Sequence, residues 1–225
     1  MTIDVRGASD RFVTREHGRV TAHSFSFGEH YDAENVAFGP LSSHNDDRLE
    51  PGAGYGEHAH SDVEIVTVVL EGALRHTDSE GNTSVLEPGQ VSCTSAGSGI
   101  THTEEAEPGV PTRLVQAWLR PDEPGGDPSY AVVQAGRPWD LAEVVGPDGL
   151  VGIGTRGARL LLANPSPGAV TLPEAPLLHV FLAEGKAVLG ERQLGPGDAA
   201  RLTDEGGRQL IIEEPAVLLV WAFDR

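Results

Sequence analysis

Between residues 50 and 120 short apolar runs alternate with clusters of Gly, Pro, Asn and Asp, as in EIVTVVLEG (64–72), RHTDSEGNTSVLEPGQVSCTSAG (75–97) and RLVQAWLRP (113–121). This rhythm predicts hairpins of short strands rather than helices. Asp78 to Asn82 (DSEGN) supplies residues that tolerate positive φ, so it predicts a turn between a strand near 73–77 and one near 83–86. The next strand follows Pro88-Gly89. Residues 177–191 and 194–203 read the same way, as a hairpin, a Pro-Gly turn and a strand. DEPGGDPS (122–129) carries two prolines, two glycines and no apolar residue, the composition of a linker. The expected organisation is an N-terminal domain over 1–122, a linker over 123–129 and a C-terminal domain over 130–225.

The two halves share an ordered pattern: Val69-Leu70-Glu71-Gly72 with Leu86-Glu87-Pro88-Gly89 matches Phe181-Leu182-Ala183-Glu184-Gly185 with Leu194-Gly195-Pro196-Gly197. Aligning the Pro-Gly turns sets Leu210 and Ile212 against His102 and Glu104. Aligning Gly72 with Gly185 sets Thr171 and Pro173 against His58 and His60. A duplicated second half has therefore lost every polar residue that makes the first half informative.

Those residues are His58-x-His60-x-x-x-Glu64 and His102-x-Glu104. Side chains alternate along a strand, so each i, i+2 pair faces one way, and Glu64 joins the first pair if the strand runs on unbroken. Two such pairs facing across a barrel interior offer three imidazoles and a carboxylate, a donor set suited to first-row metals. A lone His-x-His is more often an exposed pair. Burying both pairs, however, is costly without a partner such as a cation. Gly52, Gly54 and Gly56 before the first pair, and Gly97 and Gly99 before the second, permit bends that aim strand ends inward.

Composition narrows the remaining classes. With 34 acidic against 16 basic residues and a net charge of -18, the surface repels phosphate, which argues against direct nucleic-acid binding. No apolar run approaches a membrane helix and MTIDVRGASDRF is no signal peptide, so a cytoplasmic protein without a membrane partner is expected. The single cysteine, Cys93, flanked by strand formers, reads as a buried inert thiol. His23, His44 and His76 read as half-exposed structural residues, Asp46-Asp47 as a solvated turn, and Trp118 as core packing on the same face as Gln116.

EPGAGYGEHAHSDVEIVTVVLEG (50–72) and LEPGQVSCTSAGSGITHTE (86–104) resemble the two cupin motifs in the version found in pirins, and SFSFGEHYD (24–32) and GPLSSHNDDRLEPG (39–52) resemble the pirin N-terminal region. The resemblance implies an all-β bicupin: two face-to-face cupin barrels (double-stranded β-helix, jelly-roll-like), with one divalent transition metal in the N-terminal barrel. Its implied ligands are His58, His60, His102 and Glu104. The implied metal is Fe(II), although the same donors accept Mn, Co, Ni, Cu or Zn. Some bacterial pirins resemble quercetin 2,3-dioxygenases, opening a flavonol with O2 and releasing carbon monoxide. Animal pirins act as redox-responsive regulators of transcription through a protein partner. Both an enzyme and a non-enzymatic regulator are thus implied. Glu104 is the candidate base; Glu64, a ligand in many other cupins, is expected beside the metal or as an alternative base. Where pirins read HPHRxxE, this chain has Ala59 and Ser61, which removes a proline and a basic residue from that loop.

Overall fold

The computed structural model describes residues 1–224. Among them there is no α-helix, only a single 3-10 turn at Ala8–Asp10, and the all-β expectation holds. No helix is long and apolar enough to cross a membrane.

The chain divides into two compact units, one of residues 12–136 with 153–156, the other of 1–11, 137–152 and 157–225. The metal-candidate unit holds strands β2 (Phe12–Glu16), β3 (Arg19–His23), β4 (Leu41–Leu49), β5 (Gly54–His60), β6 (Glu64–Glu71), β7 (Leu74–Asp78), β8 (Thr83–Leu86), β9 (Gln90–Ser95), β10 (Ile100–Ala106), β11 (Thr112–Leu119) and β12 (Ser129–Gln134). The other unit holds β1 (Thr2–Arg6), β13 (Ala142–Val145), β14 (Ala158–Ala163), β15 (Gly168–Thr171), β16 (Leu177–Leu189), β17 (Arg192–Leu194), β18 (Ala199–Thr203) and β19 (Gln209–Phe223).

The expected boundary at 123–129 is corrected. Residues 122–128 turn back over their own unit, with Gly125 N donating to Asp62 Oδ1 at 2.6 Å, and β12 then pairs with β9. Proline and glycine here make a return, not an exit. At the other end, β1 pairs with β18, so the N-terminal residues belong to the second unit.

In the first unit a seven-stranded antiparallel sheet runs β12-β9-β6-β11-β4-β3-β2, and a four-stranded sheet runs β5-β10-β7-β8. β6 is an almost continuous run of β-branched residues because it lies between β9 and β11 and is buried on both faces. Leu49, Val69 and Leu114 of the larger sheet pack with Leu74, Leu86 and Ala106 of the smaller, each leucine or valine contributing about 1.5–3 kcal/mol on burial. Gly72, at φ 77° and with no room for a Cβ against the Pro111 carbonyl, ends β6. The DSEGN segment forms the predicted turn between β7 and β8.

The second unit is an eight-stranded sheet, β1-β18-β16-β19-β14-β13, with β15 on β19 and β17 on β16. Its main core cluster is aliphatic, including Leu178, Val180, Leu182, Ala187, Leu189, Leu202, Leu210, Ile212 and Leu218. The predicted repeat appears in the pairing: β16 meets β17, β18 and β19 as β6 and β7 together meet β8, β9, β10 and β11.

Candidate metal centre

Strand alternation places the central residues. β10 (ITHTEEA) is buried at every second position, which turns His102 and Glu104 inward, 2% and 4% exposed. β5 pairs with β10 so that His58 lies opposite His102 and His60 opposite Ile100; a bulge then sets Tyr55 opposite Glu104. This ladder requires Gly54, since a Cβ there would meet the Glu104 carbonyl oxygen at 2.1 Å.

His58, His60 and His102 converge, with nitrogens all within 4.8 Å of one another. The Nε2 atoms of His58 and His102 are 3.0 Å apart. Two nitrogens each roughly 2.1 Å from an ion, at right angles, have about that separation. His58 Nδ1 donates to the Gly56 carbonyl at 2.7 Å, which leaves its Nε2 lone pair free toward His102. The buried His60 Nε2 and His102 Nδ1 have no hydrogen-bond partner. Burial, reinforced by the neighbouring imidazoles, pushes His60 down to about 4 and His102 to about 3, so both rings are neutral near pH 7. Three converging imidazoles, two of them with an orphaned buried nitrogen, fit a divalent transition cation.

Glu104 lies among polar groups. Gln116 Nε2 donates to Oε2 at 2.7 Å and Thr67 Oγ1 to Oε1 at 3.5 Å. Gln116 is fixed in turn by Trp118 Nε1, which donates to its Oε1 at 2.9 Å, so the two residues share a face as expected. The Trp118 ring also stands edge-on to His60, centroids 5.0 Å apart. Burial raises the Glu104 carboxyl to about 7 against the pull of Gln116, with the charge of Asp47 adding to the rise. A nearby cation would offset that cost.

Glu104 falls into a second convergent group with His102 and His76. His76 is 1% exposed rather than half-exposed, and His23 (3%) and His44 (0%) are buried as well. Asp46 and Asp47, expected in a solvated turn, lie inside β4; Asp46 forms a two-point ion pair with Arg113 at 2.8 and 3.0 Å. Glu64 is not brought to the histidines. Asp62, at φ 52°, breaks the chain between β5 and β6, so Glu64 starts a strand of the other sheet and accepts from the Ser95 hydroxyl. Cys93 is buried as expected, its thiol pushed up to about 12 by burial and then by the charge of Glu64.

His76 and Gln116 carried no weight in the sequence reading. The signal available was His76-x-Asp78, the same i, i+2 spacing as the other two pairs. A cleft of about 430 Å³, whose lining includes Arg19, His23, Phe27, His30 and Tyr55 but none of the three converging histidines, adjoins the site through Tyr55. Tyr55 is 5.9 Å from the His58 ring, and Phe27 is 5.2 Å from Trp118.

Residues 7–119 match the protein family described as Pirin. A Mycobacterium tuberculosis protein that carries quercetin 2,3-dioxygenase as a provisional name is 42% identical over 98% of this chain and 94% of its own length. An Escherichia coli K12 protein named quercetin 2,3-dioxygenase is 44% identical over 57% of this chain and 56% of its own. Among solved structures, the Escherichia coli bacterial pirin YhhW in complex with nickel(II) is similar with a TM-score of 0.92 and 26% identity, covering 99% of each chain.

Proposed function

We infer the activity of this chain from the fact that it belongs to the pirin family: it is a metal-dependent dioxygenase of the quercetin 2,3-dioxygenase type, with His58, His60, His102 and Glu104 as metal ligands. The observation that carries the reading is the convergence of three imidazoles, two of which, His60 and His102, each keep a buried nitrogen with no protein partner, together with the buried carboxylate of Glu104 beside His102. Relatives named for the same activity and a nickel-bound pirin of the same fold support it. The metal assigned is Fe(II), and Mn, Co, Ni, Cu and Zn suit the same donors.

When bound, the cation supplies Lewis acidity that makes a coordinated enol oxygen more acidic. The chain's own residues do the rest. The cleft whose lining includes Phe27, Tyr55 and Arg19 is the candidate place for a flat aromatic substrate, its volume within the usual range of ligand pockets, roughly 300–1,000 Å³. Glu104, buried beside His102, is the candidate acceptor of the flavonol hydroxyl proton. Gln116 holds one carboxylate oxygen in place, and Trp118 holds Gln116. In the balanced reaction one O2 enters, the central ring opens, and one carbon leaves as carbon monoxide.

The test is aerobic incubation of the iron-loaded protein with quercetin, following flavonol absorbance and carbon monoxide, beside elemental analysis of wild type and His102→Ala. Turnover above free iron and loss of stoichiometric metal in the variant are expected. Turnover no greater than free iron rejects the enzyme, and an unchanged metal content in the variant rejects the ligand set.

A further inference from the structure

The interior of the first unit also holds His76 and Asp78, two buried polar side chains that the metal reading above leaves unused. β7 (LRHTD) is buried at alternate positions, so His76 and Asp78 face inward together. The β7–β10 register sets His76 directly opposite Glu104 and Asp78 opposite His102. Ligand atoms of His76, His102 and Glu104 all come within 4.8 Å of one another, and all three residues are buried.

His76 is prepared as a ligand would be. Its Nε2 is 3.2 Å from Asp78 Oδ2, so the ring donates its Nε2 proton there and leaves Nδ1 with a free lone pair. Asp78 is itself fixed, accepting from Asn82 Nδ2 at 2.9 Å and from the backbone amides of Glu80 and Asn82 at 3.0 and 2.9 Å. Stacking on Tyr130, centroids 4.0 Å apart and planes 3° from parallel, fixes the ring plane. A carboxylate-held imidazole with its second nitrogen free is the usual support of a metal-ligating histidine.

We propose that His76, His102 and Glu104 form an alternative, inner position for the first-row divalent cation, one that shares His102 and Glu104 with the outer position completed by His58 and His60, so that one ion takes either position. Two imidazoles and one carboxylate are the donor composition that non-haem Fe(II) oxygenases use, with positions left open for substrate and O2. The second unit shows what this place becomes without a cation. By register, Ala187, Leu189, Leu210 and Ile212 stand where His76, Asp78, His102 and Glu104 stand in the first unit, all within the aliphatic core. The inference rests on the metal reading above, because both positions need His102.

The test is titration of His58→Ala/His60→Ala with Co(II) or Ni(II), with a thermal melt to confirm folding. One equivalent of metal retained, then lost when His76→Ala is added, is the expected result. A folded double variant that binds no metal overturns the inner position. The two readings fail separately: a double variant with wild-type affinity would remove the outer set alone, and absent quercetin turnover bears only on the enzyme. If the double variant does not fold, His76→Gln in the otherwise intact chain, loaded with Cu(II), decides by electron paramagnetic resonance. Two superposed signals in wild type and one in His76→Gln are expected, and identical spectra overturn the proposal.

Discussion

Within β4, Asp47 is 1% exposed, and its Oδ1 accepts from the Thr21 hydroxyl and from Tyr55 at 2.8 Å, while Oδ2 has no partner. Burial, against those hydrogen bonds, raises its pKa from 3.8 to about 6. The folded chain therefore holds this proton more tightly than the unfolded chain does. The resulting stabilisation is complete below about pH 4 and lost as pH rises through about 6. Asp47→Asn should remove that slope, leaving the variant about 2–3 kcal/mol more stable than wild type at pH 8. Denaturant melts at pH 4, 6 and 8 measure it, and parallel pH profiles for the two proteins would refute the assignment. Asp47 also marks a limit of sequence reading. A pair of adjacent aspartates normally signals solvent, and only the ladder with β3 and β11 reveals that this pair is buried. By contrast, His58, His60, His102 and Glu104 were legible because i, i+2 spacing is a geometric statement about one strand face. His76 and Gln116 act through cross-strand register, which a linear pattern does not carry.

At the scale of elements, the β5–β10 ladder decides whether the imidazoles meet. Adding a methyl at Gly54 would press on the Glu104 carbonyl at 2.1 Å and the Glu105 Cα at 2.6 Å, both backbone atoms unable to swing aside. Gly54→Ala should therefore lever β5 off β10 and widen the 3.0 Å gap between His58 and His102. A metal affinity at least roughly tenfold weaker, with about 1–3 kcal/mol of stability lost, is expected. Gly56→Ala is the control, because a Cβ there meets nothing within 4 Å and should leave both quantities unchanged. Calorimetric Ni(II) titration of the three proteins decides it, and wild-type binding by Gly54→Ala would show that the ladder is not what sets the ligand spacing. The hairpins themselves were readable from Gly, Pro and Asn punctuation. The exit of the first unit was not, because DEPGGDPS has the composition of a linker and the geometry of a turn.

At the scale of the whole molecule, the two units are one strand pattern filled in two ways. Gly72 and Gly185, at φ 77° and 87°, each leave no room for a Cβ against a proline carbonyl, Pro111 in one case and Pro215 in the other. The sequence repeat thus marks the same backbone event twice. Where register sets His58 opposite His102, it sets Val170 opposite Leu210, so the aligned partner of His58 is Val170 and not Thr171. The second unit shows that this strand pattern folds with aliphatic side chains at the aligned positions. Polar residues inside the first unit therefore cost stability unless something binds them. Replacing His102 and Glu104 together by Leu and Ile, the pair found at Leu210 and Ile212, should raise the metal-free melting temperature by a few degrees, at about 2–4 °C per kcal/mol for a chain of this size. The same double substitution should abolish the rise that saturating Ni(II) produces in wild type. Paired thermal scans with and without Ni(II) test both halves of the claim. A metal-free melting temperature that falls below wild type would mean that the polar interior stabilises the fold by itself, and the argument that it is kept for a cation would lose its energetic basis.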